Sequence, residues 1–365
     1  MLRTILFVLV LCSSLFAQEK YVDPVRNSLK IDARTQETLE AVDKLVPDLH
    51  RKQVKILGDD VDRTKNALLY YFLKEMYGVE TLKTRNQGSV GSCVGYGTAA
   101  ALDVMCAVRI LAWGESESFV PSNADALYGL GRRKHLGPWD GSTGEWMIEA
   151  MLQVGTLHQL MYPGNFDLRQ ENPSNAKRWA SRGMPNDLVG FAANHKLLSA
   201  VRLTSTDQAI GALQSGYTIM ICSDVGFESG GRGTRFMAVR DKDGFLSAQG
   251  SWAHCMAVVA YRCPSSGREG FLVWNSWRAD AHDRDAWVGG PVWPDQTMPH
   301  GSFWISVKDM DRIVRQKGSY VLGNYDGFEK RELTISEAFG TAGGKVGPKK
   351  PRYEVQQIPH FSLSP

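Results

Sequence analysis

The feature that most limits how this chain can fold is a change in hydrophobic period near residue 180. Before it, apolar residues recur at helical spacing, most clearly in CVGYGTAAALDVMCAVRILAW (Cys93 to Trp113) and STGEWMIEAMLQVG (Ser142 to Gly155). After it come short runs rich in β-branched and aromatic residues: SAVRLT, YTIMICS, HCMAVVAY, GFLVWNSW and GSFWISV, separated by Gly, Asp and Ser turns. A helical half followed by a β half predicts an α+β fold of two lobes with a cleft between them. We place the helical lobe at about 81–180 and the β lobe at about 181–322.

The 365 residues, 43% of them hydrophobic, are ample for such a core. A formal charge of +3, from 42 basic and 39 acidic residues spread along the chain, gives no nucleic-acid footprint. Residues 1–17 read as a signal peptide, with an early Arg3, an apolar run from Ile5 to Leu11 and a cut after Ala17. That stretch is too short for the roughly 20 apolar residues of a membrane span, so stable membrane insertion is not expected and the chain is secreted or periplasmic. Bulky Leu11 before Cys12 argues against lipid attachment. Residues 18–80 carry two amphipathic stretches, Thr35 to Leu49 and Val61 to Tyr77, and read as a helical extension or a prosegment, with a slight preference for a permanent extension. Residues 323–365 are rich in Gly, Pro and Lys and read as a tail.

With Cys12 in the signal, the exported chain keeps Cys93, Cys106, Cys222, Cys255 and Cys263. An odd number in an oxidising compartment points to an intermolecular link or a thiol kept for chemistry. A thiol attacks a carbonyl as thiolate, which a helix N-terminus or an imidazolium favours. Cys93 follows the turn Gly88, Ser89, Gly91, Ser92 and opens the long apolar helix. Gln87, six positions earlier, carries an amide able to donate to a developing oxyanion. Of the eight histidines, His254 is best placed, at the start of a predicted strand. Asn275 at the end of the next strand is suited to orient its ring, and Trp277 to shield that bond.

NQGSVGSC, AHCMAVVAY and VWNSW resemble, in order and context, the three signature blocks of papain-like cysteine peptidases. The resemblance spans about Thr81 to Leu322 and implies a thiol peptidase acting through an acyl-enzyme on a protein or peptide substrate, with no metal or organic cofactor. It makes Cys93 the nucleophile, His254 the general base and acid, Asn275 the orienting residue, and Gln87 with the Cys93 amide the oxyanion hole. By position, Gly141 would hold substrate as an extended strand. Rival readings are a cell-wall or other amide thiol hydrolase and a non-catalytic peptide-binding relative.

Departures from the family pattern are evident. Val90 stands where a cysteine is usual, its partner near Pro138 is also missing, Val94 replaces an aromatic residue, and RADAHDRDAWVGGPVWPDQTMPHG replaces the usual end of the last block. Substrate preference therefore does not transfer. Asp280, His282, Asp283 and Asp285 crowd one loop, but read as solvated charges rather than a metal site. Cys222 and Cys255 fall on strands expected to be neighbours, which leaves a bridge or two free thiols open.

Overall fold

The computed structural model describes residues 61–77, 82, 84–113, 119–227, 240–277 and 298–323. The signal peptide, the stretch Thr35 to Leu49, the loop carrying Asp280, His282, Asp283 and Asp285, and residues 324–365 lie outside them.

The helical half consists of α2 (Cys93–Leu111), α3 (Ala124–Gly131), α4 (Gly144–Gln153), α5 (Pro173–Arg182) and α6 (Asn186–Ala192). Between α4 and α5 a small hairpin, β2 (Met161–Tyr162) with β3 (Phe166–Asp167), turns through Gly164 and Asn165, both at positive φ. Asn123 and Thr143 cap α3 and α4 by accepting from backbone N–H groups in the first turn.

α2 is buried almost all round, as a helix without a polar face must be. Two glycines let its neighbours press on it. A Cβ at Gly95 would lie 2.4 Å from the Ala124 carbonyl oxygen, and one at Gly97 would lie 2.9 Å from the backbone of Cys255. Any larger residue at these positions would push α2 away from α3 or from the strand that carries His254.

The β half is one antiparallel sheet. Its strands are β4 (Ser199–Arg202), β5 (Ile219–Val225), β6 (Ser251–Arg262), β7 (Gly270–Trp274), β8 (Ser302–Ser306) and β9 (Tyr320–Gly323), in the order β4-β9-β5-β6-β7-β8. Helices α7 (Thr206–Gln214) and α8 (Val307–Val314) complete this half. All five β-branched runs of the sequence are strands here. β9 was not foreseen; it reaches Gly323, where the tail was expected to begin.

The segment Val61 to Tyr77 is helical only over α1 (Tyr70–Tyr77). Ala67–Leu68 instead forms β1, pairing with Tyr261 and Ala260 of β6. Asn66 clamps the approach: its Oδ1 accepts from the Cys263 N–H and its Nδ2 donates to Ser266 Oγ, each at 2.8 Å. Leu69, Tyr70, Phe72 and Leu73 are buried in the same core as α2 and the sheet. A second apolar cluster, with Leu130, Leu157, Trp179 and Leu188, holds the helical half together.

Candidate active site

Cys93 is the first residue of α2, placed by the turn at Gly88, whose φ of +60° suits glycine. Ser92 makes no side-chain cap. The first-turn amides therefore keep their positive end at the Cys93 side chain, which favours a thiolate there. Cys93 is fully buried.

His254 is the fourth residue of β6 and nearly fully buried. Its Nε2 lies 2.7 Å from Asn275 Oδ1, which also accepts from the Ser276 N–H at 2.7 Å. An amide oxygen only accepts, so Nε2 carries the hydrogen and Nδ1 is left with its lone pair. Nδ1 has no hydrogen-bond partner among the described residues. Trp277 stacks on the ring, with centroids 4.4 Å apart and planes 29° from parallel, and Trp252 packs on Trp277 at 4.6 Å. The two indoles keep water from the His254–Asn275 bond. Burial pushes the His254 imidazole down to about 4, with the Asn275 bond opposing part of that shift, so the ring is neutral near pH 7.

Gln87 is fully buried and stitches the loop before Cys93 to the segment bearing Asn275. Its backbone N–H donates to the Ser276 carbonyl at 3.1 Å, and its Oε1 accepts from Ser276 Oγ at 2.8 Å. Nε2 donates one hydrogen to the Val90 carbonyl at 3.0 Å, which leaves the second amide hydrogen. Ser276 was invisible as a functional position, because its role exists only once the two loops meet.

The start of α2 and the His254 strand border one cavity of about 400 Å³, lined by Val94, Thr143, Glu145, Cys222, His254 and Gln316 among others. Gly141 has the positive φ, +103°, of a turn glycine, but its backbone faces inward. Its N–H donates to Tyr128 Oη at 2.9 Å, and its carbonyl accepts from Tyr128 Oη at 3.2 Å and Arg132 Nη1 at 2.5 Å. The next residues, Ser142 to Glu145, form part of the cavity wall.

Arg132 is the residue the sequence hid. Fully buried, it also donates to the carbonyls of His135 at 2.9 Å and Trp139 at 3.0 Å, and so holds the loop leading to the cleft. Val90, where a family cysteine was expected, packs with Tyr128, Ala176 and Ala180. Apolar contact and a buried guanidinium thus secure the region that a disulfide would. All five described cysteines are free thiols.

No family model matches the chain, and no curated protein sequence does. Among solved structures the chain is similar to xylellain, a cysteine protease from Xylella fastidiosa, at 16% identity and a TM-score of 0.47, over 74% of this chain and 89% of that one. It is similar to the ragweed pollen allergen Amb a 11, a cysteine protease in its proform, at 13% identity and a TM-score of 0.44, over 73% of this chain and 66% of that one. It is also similar to digestive procathepsin L 3 of the Tenebrio molitor larval midgut, at 12% identity and a TM-score of 0.41, over 74% of this chain and 78% of that one. These neighbours are papain-like cysteine proteases.

Proposed function

We propose that the chain is an exported cysteine endopeptidase that cleaves peptide bonds through a thioester acyl-enzyme. The observation that carries this reading is the state of His254, which lines the cavity at the head of α2: Nε2–H is pinned to Asn275 while Nδ1 is buried and without a described partner. A neutral imidazole fixed in that tautomer is a general base waiting for a proton. Nδ1 takes the Cys93 proton, and the thiolate attacks the substrate carbonyl. The oxyanion is held by the Cys93 N–H and the second amide hydrogen of Gln87. The imidazolium then protonates the leaving amine, and a water activated by the same nitrogen hydrolyses the thioester. Export rests on the N-terminal sequence. Burial of Leu69, Tyr70, Phe72 and Leu73 in the common core favours a permanent extension over a removable prosegment.

The test is incubation of the purified chain with a broad peptide library and a thiol-reactive epoxide. Cleavage that stops as the epoxide labels Cys93 supports the proposal. Labelling with no peptide hydrolysed across the library overturns it.

A further inference from the structure

Cys222 and Cys255 have no part in the chemistry above, yet both line the cavity. The register sets them directly opposite each other on β5 and β6. Opposed residues of an antiparallel ladder alternate between pairs joined by two backbone hydrogen bonds and pairs joined by none, and the second kind has Cα atoms only about 4.5 Å apart. Cys222 belongs to the second kind. Its N–H donates away from β6, to Ser319 Oγ at 3.3 Å, and its carbonyl oxygen lies 2.7 Å from where a Cβ on Gly318 would stand.

A disulfide accepts Cα separations of about 4.4–6.8 Å, so this pair can be bridged without moving the strands. The two thiols already touch through a hydrogen bond. Cys222 is the partly exposed partner and Cys255 the fully buried one. The Cys222 sulfur reaches across the cavity, 3.3 Å from where a Cβ on Gly144 would lie.

We infer that Cys222 and Cys255 form a redox modification site, oxidised to a cross-strand disulfide by a small disulfide such as oxidised glutathione. The Cys222 thiolate attacks one sulfur of the small disulfide, whose S–S bond breaks and whose other half leaves as thiolate. The Cys255 thiolate then attacks the Cys222 sulfur of that mixed disulfide and expels the second small thiolate. The protein gives up two electrons and two protons, and the small disulfide becomes two thiols. The new bond draws the Cys222 sulfur away from Gly144 and widens the cavity on that side. Burial holds both thiols above their ordinary range, so the exchange is slow.

The readout is mass, not turnover, so this inference and the peptidase reading can fail separately. The full chain is held overnight with oxidised glutathione, alkylated in denaturant, digested and mapped by mass spectrometry. A peptide pair linked through Cys222 and Cys255 is expected, released by dithiothreitol and absent from Cys222→Ser. In a Cys93→Ala background the linked form is expected to melt about 5 °C above the reduced form. If Cys93 becomes glutathionylated, proving that the reagent reached the cleft, while Cys222 and Cys255 are both recovered alkylated, the inference is overturned. A Cys93–Cys255 link in place of the predicted one overturns it as well.

Discussion

α2 borders two cavities, through Val94 beside Cys93 at its start and through Cys106 farther along, and a histidine stands in both. The front cavity, of about 400 Å³, lies where the Cys93 end of the helix meets His254. The rear one, of about 430 Å³, is lined by Met105, Cys106, Arg109, His158 and His195. Burial pushes His158 down to about 4, as it does His254. Size and titration therefore do not tell the two apart. Position on the helix does: Cys93 stands at the positive N-terminal end of the helix dipole, whereas Cys106 lies well inside the helix, where backbone N–H groups bond to the preceding turn. The neighbours of the rings differ as well. His254 is held by an amide oxygen and covered by Trp277, while His158 meets the edge of another imidazole, His195, at 4.5 Å. The front pair thus has a helix terminus and an orienting acceptor beside it.

The sharpest way to break this comparison is to exchange its cysteines. Cys93→Ala is expected to lower peptide hydrolysis by about 10⁴-fold or more with an unchanged circular dichroism spectrum, and Cys106→Ala to stay within about 2-fold. Equal losses would abolish the distinction between the ends of α2. The histidines come next. His254→Ala should cost nearly as much as Cys93→Ala, because the pair acts as a unit, and should slow iodoacetamide labelling of Cys93 at pH 6, while His158→Ala should do neither.

Removing one oxyanion donor with Gln87→Ala is expected to lower kcat by about 10-fold to 1000-fold. A change confined to KM would make Gln87 a binding residue only. Asn275→Ala is milder than His254→Ala and has a directional signature. Its bond favours the charged ring, so the acid limb of kcat/KM, expected near pH 4, should move lower still.

The smallest effect is on stability. Both histidines titrate near 4 in the folded chain against 6.5 ordinarily, so below pH 6.5 the unfolded chain binds protons that the folded chain refuses. Stability is therefore lost as pH falls from 6.5 toward 4. In His158→Phe the decline of Tm over that window should be shallower while the acid limb of activity stays in place.

Much of the fold was legible because its signals are local. Five runs of β-branched and aromatic residues became β4 to β8, and the apolar stretch after Ser92 became α2. β1, only two residues long, and β9 went unread, since each exists by pairing with strands distant in the chain. At the site, the residue types and their order were legible too: a cysteine at a helix start, a histidine in one strand, an asparagine just past the end of the next. The hydrogen bonds of Gly141 to Tyr128 and Arg132 were not, because they join segments that meet only in the fold, and a buried guanidinium leaves no periodic trace.

The sequence by itself determined the α+β class, the placement of Cys93 in a field that favours a thiolate, and the candidates for its partners, since these follow from period, turn chemistry and residue type. Only the tertiary structure decided which nitrogen of His254 is left to take a proton, how Gln87 is tied to Ser276, and that Cys222 faces Cys255 across a pair without backbone hydrogen bonds. Each of these depends on register and on contacts between segments far apart in the chain. A shift of one residue in the pairing of β5 with β6 would part the two cysteines while leaving every local propensity intact.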